Sequence, residues 1–184
     1  MSVKQNRKLN KKGFTLAETL MAVIILLLVS TIVATGIPVA KNAYDKVIVG
    51  ANAEVVLSTA ITTLRDELGK ATGTIETPND SEGNTWITYT SPNSGVKSKI
   101  CLDDGAIKYI KIVTNPDADA DPDNSRPLVS EAASTSALYV TYDTIAYSNG
   151  IVTITNLKVN RTTGDKKTLA SLDVLEIRVI SGGS

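Results

Sequence analysis

The chain has 184 residues, 42% of them hydrophobic, with 19 Lys and Arg balanced by 19 Asp and Glu, and it contains no histidine. That length accommodates one compact domain with a projecting element and is too short for two ordinary domains, while the absence of histidine excludes His-dependent catalytic triads and His-ligated zinc. Five of the bases, Lys4, Arg7, Lys8, Lys11 and Lys12, lie in residues 2–13 without an acid, leaving 14 basic against 19 acidic groups elsewhere, a balance that weighs against broad nucleic-acid binding and leaves only a local basic patch open.

Between Phe14 and Ala40 the one charged side chain is Glu18. Leu20 to Ile37, "LMAVIILLLVSTIVATGI", is an uncharged run of 18 residues, about 27 Å long as a helix and close to the thickness of a hydrocarbon core. Its basic flank orients the segment with the N-terminus in the cytoplasm and everything after Lys41 exported. The buried helix of a soluble protein rarely needs so long an uncharged run. A discarded secretory signal would want a small-x-small cleavage site, and "IVATGIPVA" offers Val33/Thr35 and Ile37/Val39 instead. A plain signal anchor gives no reason for Glu18.

The remaining reading accounts for the carboxylate. A short basic leader, then "KKG", then "FTLAE" opening a long apolar helix, resembles the class III signal of type IV prepilins and pseudopilins. The resemblance covers about the first 60 residues. It implies cleavage by a prepilin peptidase between Gly13 and Phe14, N-methylation of the new Phe14 amino group, and a role for Glu18 in filament assembly. It further implies no cofactor, an assembly ATPase and platform protein as partners, and like or related pilin subunits as neighbours. The subunit would be single-pass in the cytoplasmic (inner) membrane before assembly and then part of an extracellular filament on a bacterial surface. A lone carboxylate in hydrocarbon costs about 2.5 to 3.5 kcal/mol; the α-amine of an adjoining subunit, held at the same depth, would compensate it and set the axial register.

The helix is expected to run from Phe14 to about Ala71, with a kink where Pro38 lacks an amide hydrogen and crowds Ala34, aided by Gly36, and with a stop at Gly73. Two apolar stripes follow the uncharged run. Tyr44, Val47, Ile48, Ala51 and Val55 share one face, and Leu57, Ile61, Leu64 and Leu68 another. The second stripe is expected to dock on the exported domain. The first either packs on neighbouring helices or joins the same core. "TLRDELGKA" (63–71) resembles the helix end of minor, initiator-type pilins and pseudopilins.

Beyond the helix the period changes. "NTWITYT", "GVKSKICL", "AIKYIKIV", "SALYVTYDTIAY", "GIVTITNLKV" and "LDVLEIRVI" are rich in β-branched residues and Tyr and alternate over much of their length, as strands do. "LDDGA" (102–106) and "YSNGI" (147–151) are hairpin signals, Asn149-Gly150 suiting a type I′ turn, and "NRTTGDK" (160–166) joins the last two strands. The expected fold is α+β: a long, kinked, pilin-like N-terminal helix packed against a C-terminal antiparallel sheet. The expected divisions are a leader, residues 1–13; a transmembrane and filament-core segment, 14–37; the continuation of the helix on the globular domain, 38–73; and a β head, 74–184.

Chemistry is sparse. Asp117, Asp119, Asp121 and Asp123 alternate in "TNPDADADPDNSRP" (114–127), a pattern of hard oxygen ligands. The glycine of a calcium loop is missing, however, so a solvated acidic loop is the favoured reading over a metal site. Cys101 lies between Ile100 and Leu102 in a strand pattern and reads as a buried structural thiol. One cysteine permits no internal disulfide, unlike many Gram-negative pilins, and this departure points toward a Gram-positive source. Trp86 and the tyrosines read first as sheet packing and second as a sugar-binding or adhesive surface. Asn160-Arg161-Thr162 matches the N-glycosylation pattern by chance. No catalytic residue is expected. The chain reads as a structural filament subunit, with a non-polymerising membrane-tethered binding protein, an adhesin or DNA receptor, as the alternative. Adhesion, motility, DNA uptake and secretion remain equally open as the service such a filament performs.

Overall fold

A computed structural model describes residues 15–79, 83–116, 124–129, 137–162 and 168–180. One helix, α1 (Leu16–Gly69), precedes nine strands among the described residues. The chain divides into two compact units after Asp45. α1 contributes to both.

In the N-terminal unit, α1 buries no residue from Leu16 to Asp45. Leucines, isoleucines and valines occupy every side of the helix there, so no single face is apolar, the signature of a helix whose whole surroundings are apolar rather than one that docks along a stripe. It is long and apolar enough to cross a membrane by length and composition. The helix starts two residues later than the sequence suggests, because Thr15 serves as its N-cap.

The C-terminal unit combines the rest of α1 with two antiparallel sheets. The first is a five-stranded meander in chain order, β1 (Thr72–Glu76), β2 (Ile87–Thr90), β3 (Lys97–Leu102), β4 (Ile110–Thr114) and β5 (Ser125–Pro127). Register aligns Ile87, Ile100 and Ile112 across three neighbouring strands, and all three are buried. The second sheet centres on β8 (Ile151–Arg161), with β9 (Thr168–Arg178) on one side and both β6 (Leu138–Thr141) and β7 (Thr144–Ser148) on the other. β6 and β7 keep one register against β8, Thr141 opposite Lys158 and Thr144 opposite Thr155. They are therefore one edge strand interrupted at Tyr142 and Asp143, and "SALYVTYDTIAY" is legible as a single run for that reason.

The structure differs from the sequence reading in its sheets and at the end of the helix. The sheet expected to be continuous is split in two, and β1 and β5 were not anticipated. Gly73, expected to end the helix, lies inside β1 at φ 73°, and a Cβ there would stand 2.7 Å from the Thr90 hydroxyl oxygen. This left-handed residue accompanies the register shift between Thr72 and Glu76, as at a β-bulge. The helix ends earlier, at Gly69, whose carbonyl accepts the Ile180 amide at 2.9 Å. The expected tight turn is present: Asn149 and Gly150 have φ of 52° and 78° between β7 and β8, the double positive φ of type I′.

The buried face of α1 is Ala53, Val56, Leu57, Ala60, Leu64 and Leu68, in one cluster with the inward residues of both sheets. Leu57, Leu64 and Leu68 of the predicted docking stripe are buried, with Ile61 at its margin. The earlier stripe is not part of this core: Val47 and Val55 are 70% and 64% exposed. Ala53 and Ala60 are fully buried, so small side chains bring the helix backbone close to its neighbours.

Glu67 shares the buried face at 2% exposure. Its carboxylate accepts four hydrogen bonds: from the Tyr89 hydroxyl at 3.3 Å and Ser91 Oγ at 2.9 Å on one oxygen, from Asn93 Nδ2 at 2.9 Å and Arg126 Nη2 at 3.1 Å on the other. Burial, reinforced by the Glu67 charge, pushes the Tyr89 phenol far above its usual range, so it stays a donor. The cluster ties the last turn of α1 to β2, to the turn after it and to β5.

Leu64→Ala is expected to lower unfolding free energy by about 2 to 5 kcal/mol through the cavity it leaves, whereas Val55→Ala should change it by less than about 0.5 kcal/mol. Urea unfolding of the full chain in mild detergent, followed by circular dichroism, separates the two. By the same measurement Glu67→Ala should cost about 1 to 3 kcal/mol, because buried donors of Tyr89 and Ser91 lose their acceptor.

Candidate functional site

The first turn of α1 holds the carboxylate that the apolar run leaves unexplained. Thr15 and Glu18 form a reciprocal capping box, the pattern Ser/Thr-x-x-Glu that satisfies orphan amides at a helix start. The Thr15 amide donates to Glu18 Oε2 at 2.9 Å and the Thr15 hydroxyl to the same oxygen at 3.0 Å, while the Glu18 amide donates to the Thr15 hydroxyl oxygen at 3.3 Å. The second oxygen, Oε1, accepts no hydrogen bond among the described residues. A carboxylate has roughly four acceptor positions, so half of this one is left for another donor. Gly13 and Phe14, the expected cleavage site, lie outside the described residues.

The polar side chains along the apolar run are satisfied within the helix. Thr19 Oγ1 donates to the Leu16 carbonyl at 2.9 Å, Ser30 Oγ to Leu26 at 2.7 Å, Thr31 Oγ1 to Leu28 at 2.7 Å and Thr35 Oγ1 to Thr31 at 3.0 Å. Hydroxyls bonded back to the backbone can enter hydrocarbon without an orphaned donor. Glu18 is the exception, because among the described residues no backbone group beyond its own cap reaches it. α1 continues through Gly36 and Pro38 without interruption.

Other candidate residues separate from this turn. Asp117, Asp119, Asp121 and Asp123 lie outside the described residues, and among the described ones no group of three or more His, Cys, Asp or Glu is placed to hold a metal. Cys101 is buried, and burial pushes its thiol up, against the opposing pull of Lys99 and Lys111. It therefore stays protonated and is no nucleophile. Trp86 is half-buried at the edge of a concavity of about 380 Å³ with Asn84, Lys99, Asp103, Asp104 and Lys108. A second, mainly apolar cavity of about 530 Å³, lined by Ile107, Tyr109, Val129, Leu138 and Tyr139 among others, has no charged residue among the described residues that line it.

Sequence reading missed Thr15 as the partner of Glu18, although "TLAE" is itself the capping-box pattern. It also passed over Glu67, three residues after Leu64 and adjacent to Leu68, where an acid on an otherwise apolar helix face signals a buried polar cluster.

Comparison with known families matches residues 8–34 to the prokaryotic N-terminal methylation motif. No curated protein and no solved structure matches the chain. The matched segment contains the basic leader's end, the Gly13-Phe14 bond, the capping box and most of the apolar run. This is a family of structural prepilins rather than of enzymes, and the motif and the apolar helix are consistent with membrane anchoring. A methylation motif on a long apolar helix, followed by antiparallel sheets in an α+β arrangement, supports placing the chain in the type IV pilin and pseudopilin-like prepilin family.

Proposed function

We propose that the chain is a structural subunit of a type IV pilus or pseudopilus, cut by prepilin peptidase between Gly13 and Phe14, N-methylated on Phe14 and polymerised through α1. The observation that carries this reading is Glu18: an acid in an uncharged helix, with one carboxylate oxygen fixed by Thr15 and the other without a donor among the described residues. In an assembled filament that oxygen accepts from the Phe14 ammonium of an adjoining subunit. The ammonium exists only after the leader is removed, so processing switches the pairing on. Fixing Oε2 in the cap restricts the rotamers of Glu18, which reduces the side-chain entropy lost when the second oxygen pairs.

The remainder of the assembly follows from the helix surface. The apolar side chains between Leu20 and Ile37 exchange lipid for neighbouring helices, while an assembly platform and ATPase provide the extraction work. The Val47, Ile48 and Val55 stripe, exposed in the C-terminal unit, continues that contact. Pro38 removes the amide that would bond the Ala34 carbonyl, which makes Gly36 to Pro38 the place where the helix can bend or open during packing. Before assembly the chain stands in the cytoplasmic membrane; afterwards it is part of a surface filament.

The capping box supplies a control that separates local from intermolecular roles. Glu18→Gln retains the cap, since Gln serves in the same motif, but removes the negative charge. Both Glu18→Gln and Glu18→Ala should be processed and exported normally, and both should fall about tenfold or more in the sheared filament fraction, the effect of losing about 1.4 kcal/mol per contact. Filaments of wild-type yield from Glu18→Gln would reduce the carboxylate to a helix cap. Absence of the wild-type chain itself from the sheared filament fraction would favour a monomeric membrane tether. Mass spectrometry of the cell-associated chain should find it beginning at N-methylated Phe14.

A further inference from the structure

The outer face of the first sheet gathers charge around the chain's single tryptophan. Ile87 pairs with Ile100 and Thr88 with Lys99, and Ile87 and Ile100 are fully buried. Lys99 therefore faces away from the core, and the same register carried back one residue brings Trp86 beside Cys101. Cys101 pairs in turn with Lys111 of β4. These residues line the 380 Å³ concavity with the β3–β4 loop residues Asp103, Asp104 and Lys108. Its size is at the lower end of about 300 to 1,000 Å³ typical of small-ligand sites.

The charges in this concavity are unequally committed. Lys111 Nζ is bonded to Asp103 Oδ1 at 2.9 Å. That hydrogen bond holds the Asp103 carboxyl below its usual range and Lys111 above its own. The Gly105 amide occupies Asp103 Oδ2 at 3.0 Å. Lys99 Nζ stands 4.3 Å from the centroid of the Trp86 ring and has no carboxylate partner among the described residues. One side of its ammonium meets the ring face, leaving the other N–H directions for an acceptor. Lys108 and Asp104 are exposed and likewise make no ion pair among the described residues.

We propose that this concavity binds an acidic sugar unit, a pyranose bearing a carboxylate. The ligand carboxylate pairs with Lys99 and Lys108, Asp104 accepts hydrogen bonds from ring hydroxyls, and Trp86, whose ring holds Lys99, borders the bound unit. A neutral sugar leaves the two uncommitted ammonium groups unused. The backbone of a DNA strand offers phosphate anions to the lysines but no sugar hydroxyl to Asp104, whereas a pyranose carboxylate brings its hydroxyls on the same ring. This assignment does not rest on polymerisation, since every residue used belongs to the C-terminal unit.

Because Trp86 is the only tryptophan, fluorescence of the full chain in mild detergent, excited selectively at tryptophan and not at the tyrosines, reports on this site. Titration with tetragalacturonate should give a saturable change, and Lys99→Gln and Lys108→Gln should each weaken it about tenfold. Maltotetraose, neutral and of the same length, should bind at least about tenfold more weakly than tetragalacturonate, and so should a short single-stranded DNA. Lys108 is exposed, so its substitution tests the site without threatening the fold. The proposal is overturned by no saturable response to tetragalacturonate, by a response unchanged in both lysine variants, or by equal binding of maltotetraose or of the DNA.

Discussion

A helix that buries nothing from Leu16 to Asp45 cannot present that surface to water at equilibrium. Apolar area removed from water contributes about 25 cal/mol per Å², and this stretch carries leucine, isoleucine or valine on every side. Lipid or other apolar helices are surroundings consistent with such a surface. Both are accessible to the same segment because its hydroxyls bond to its own carbonyls, so neither environment leaves them orphaned. Between two such media the apolar surface itself discriminates little, since lipid tails are as apolar as leucine. In the proposed filament, register and direction would come from something polar, and Glu18 is the one charged group between Phe14 and Ala40.

The C-terminal unit solves the opposite problem. Its two sheets have apolar faces that water would otherwise reach, and the Ala53 to Leu68 stripe enters one core with both. A stripe is enough there because only one side of the helix is engaged. The four donors around Glu67 fix the last turn against β2 and β5, and the Gly69 carbonyl receives the Ile180 amide at the end of β9. Contacts from sequence positions far apart thus converge on a single turn. The Tyr142 hydroxyl and the Ile145 amide, bonded to Thr85 at 2.7 and 2.8 Å, join the two sheets at a second point.

Local signals in the sequence carried most of the elements and few of their partners. The uncharged run, the capping pattern, the Asn149-Gly150 turn and the alternating strands are each set by nearby residues, so they are legible from short windows. β5 is three residues long and exists through pairing with β4, which no window of its own sequence reveals. β1 carries a left-handed glycine and looks like a helix terminator for the same reason that it makes a bulge. The division into two sheets depends on which apolar faces meet the helix, and that is settled by long-range packing. The Trp86 concavity was visible only as scattered residues, because sheet register brings Trp86, just before β2, together with Lys99 of β3 and Lys111 of β4.

Two acids on apolar stretches of one helix illustrate how partners decide role. Glu67 has its acceptor sites occupied by Tyr89, Ser91, Asn93 and Arg126, all from its own chain, and Arg126 balances its charge. Nothing remains for an outside group, so its function is to hold a fold together. Glu18 has one oxygen engaged by Thr15 through neutral donors, and no cation of the described chain balances it. A carboxylate that is ordered but not neutralised costs little in water and much in hydrocarbon. The medium that surrounds Leu20 to Ile37 therefore creates the demand for a counter-charge at the depth of Glu18. In the proposed filament, the amine that a peptidase would expose four residues earlier would answer that demand in a neighbouring copy, because a stagger between parallel helices can bring it level with the acid. On this proposal the position of the acid, one turn after Phe14 and just before the uncharged run, would set the step by which subunits advance along a filament.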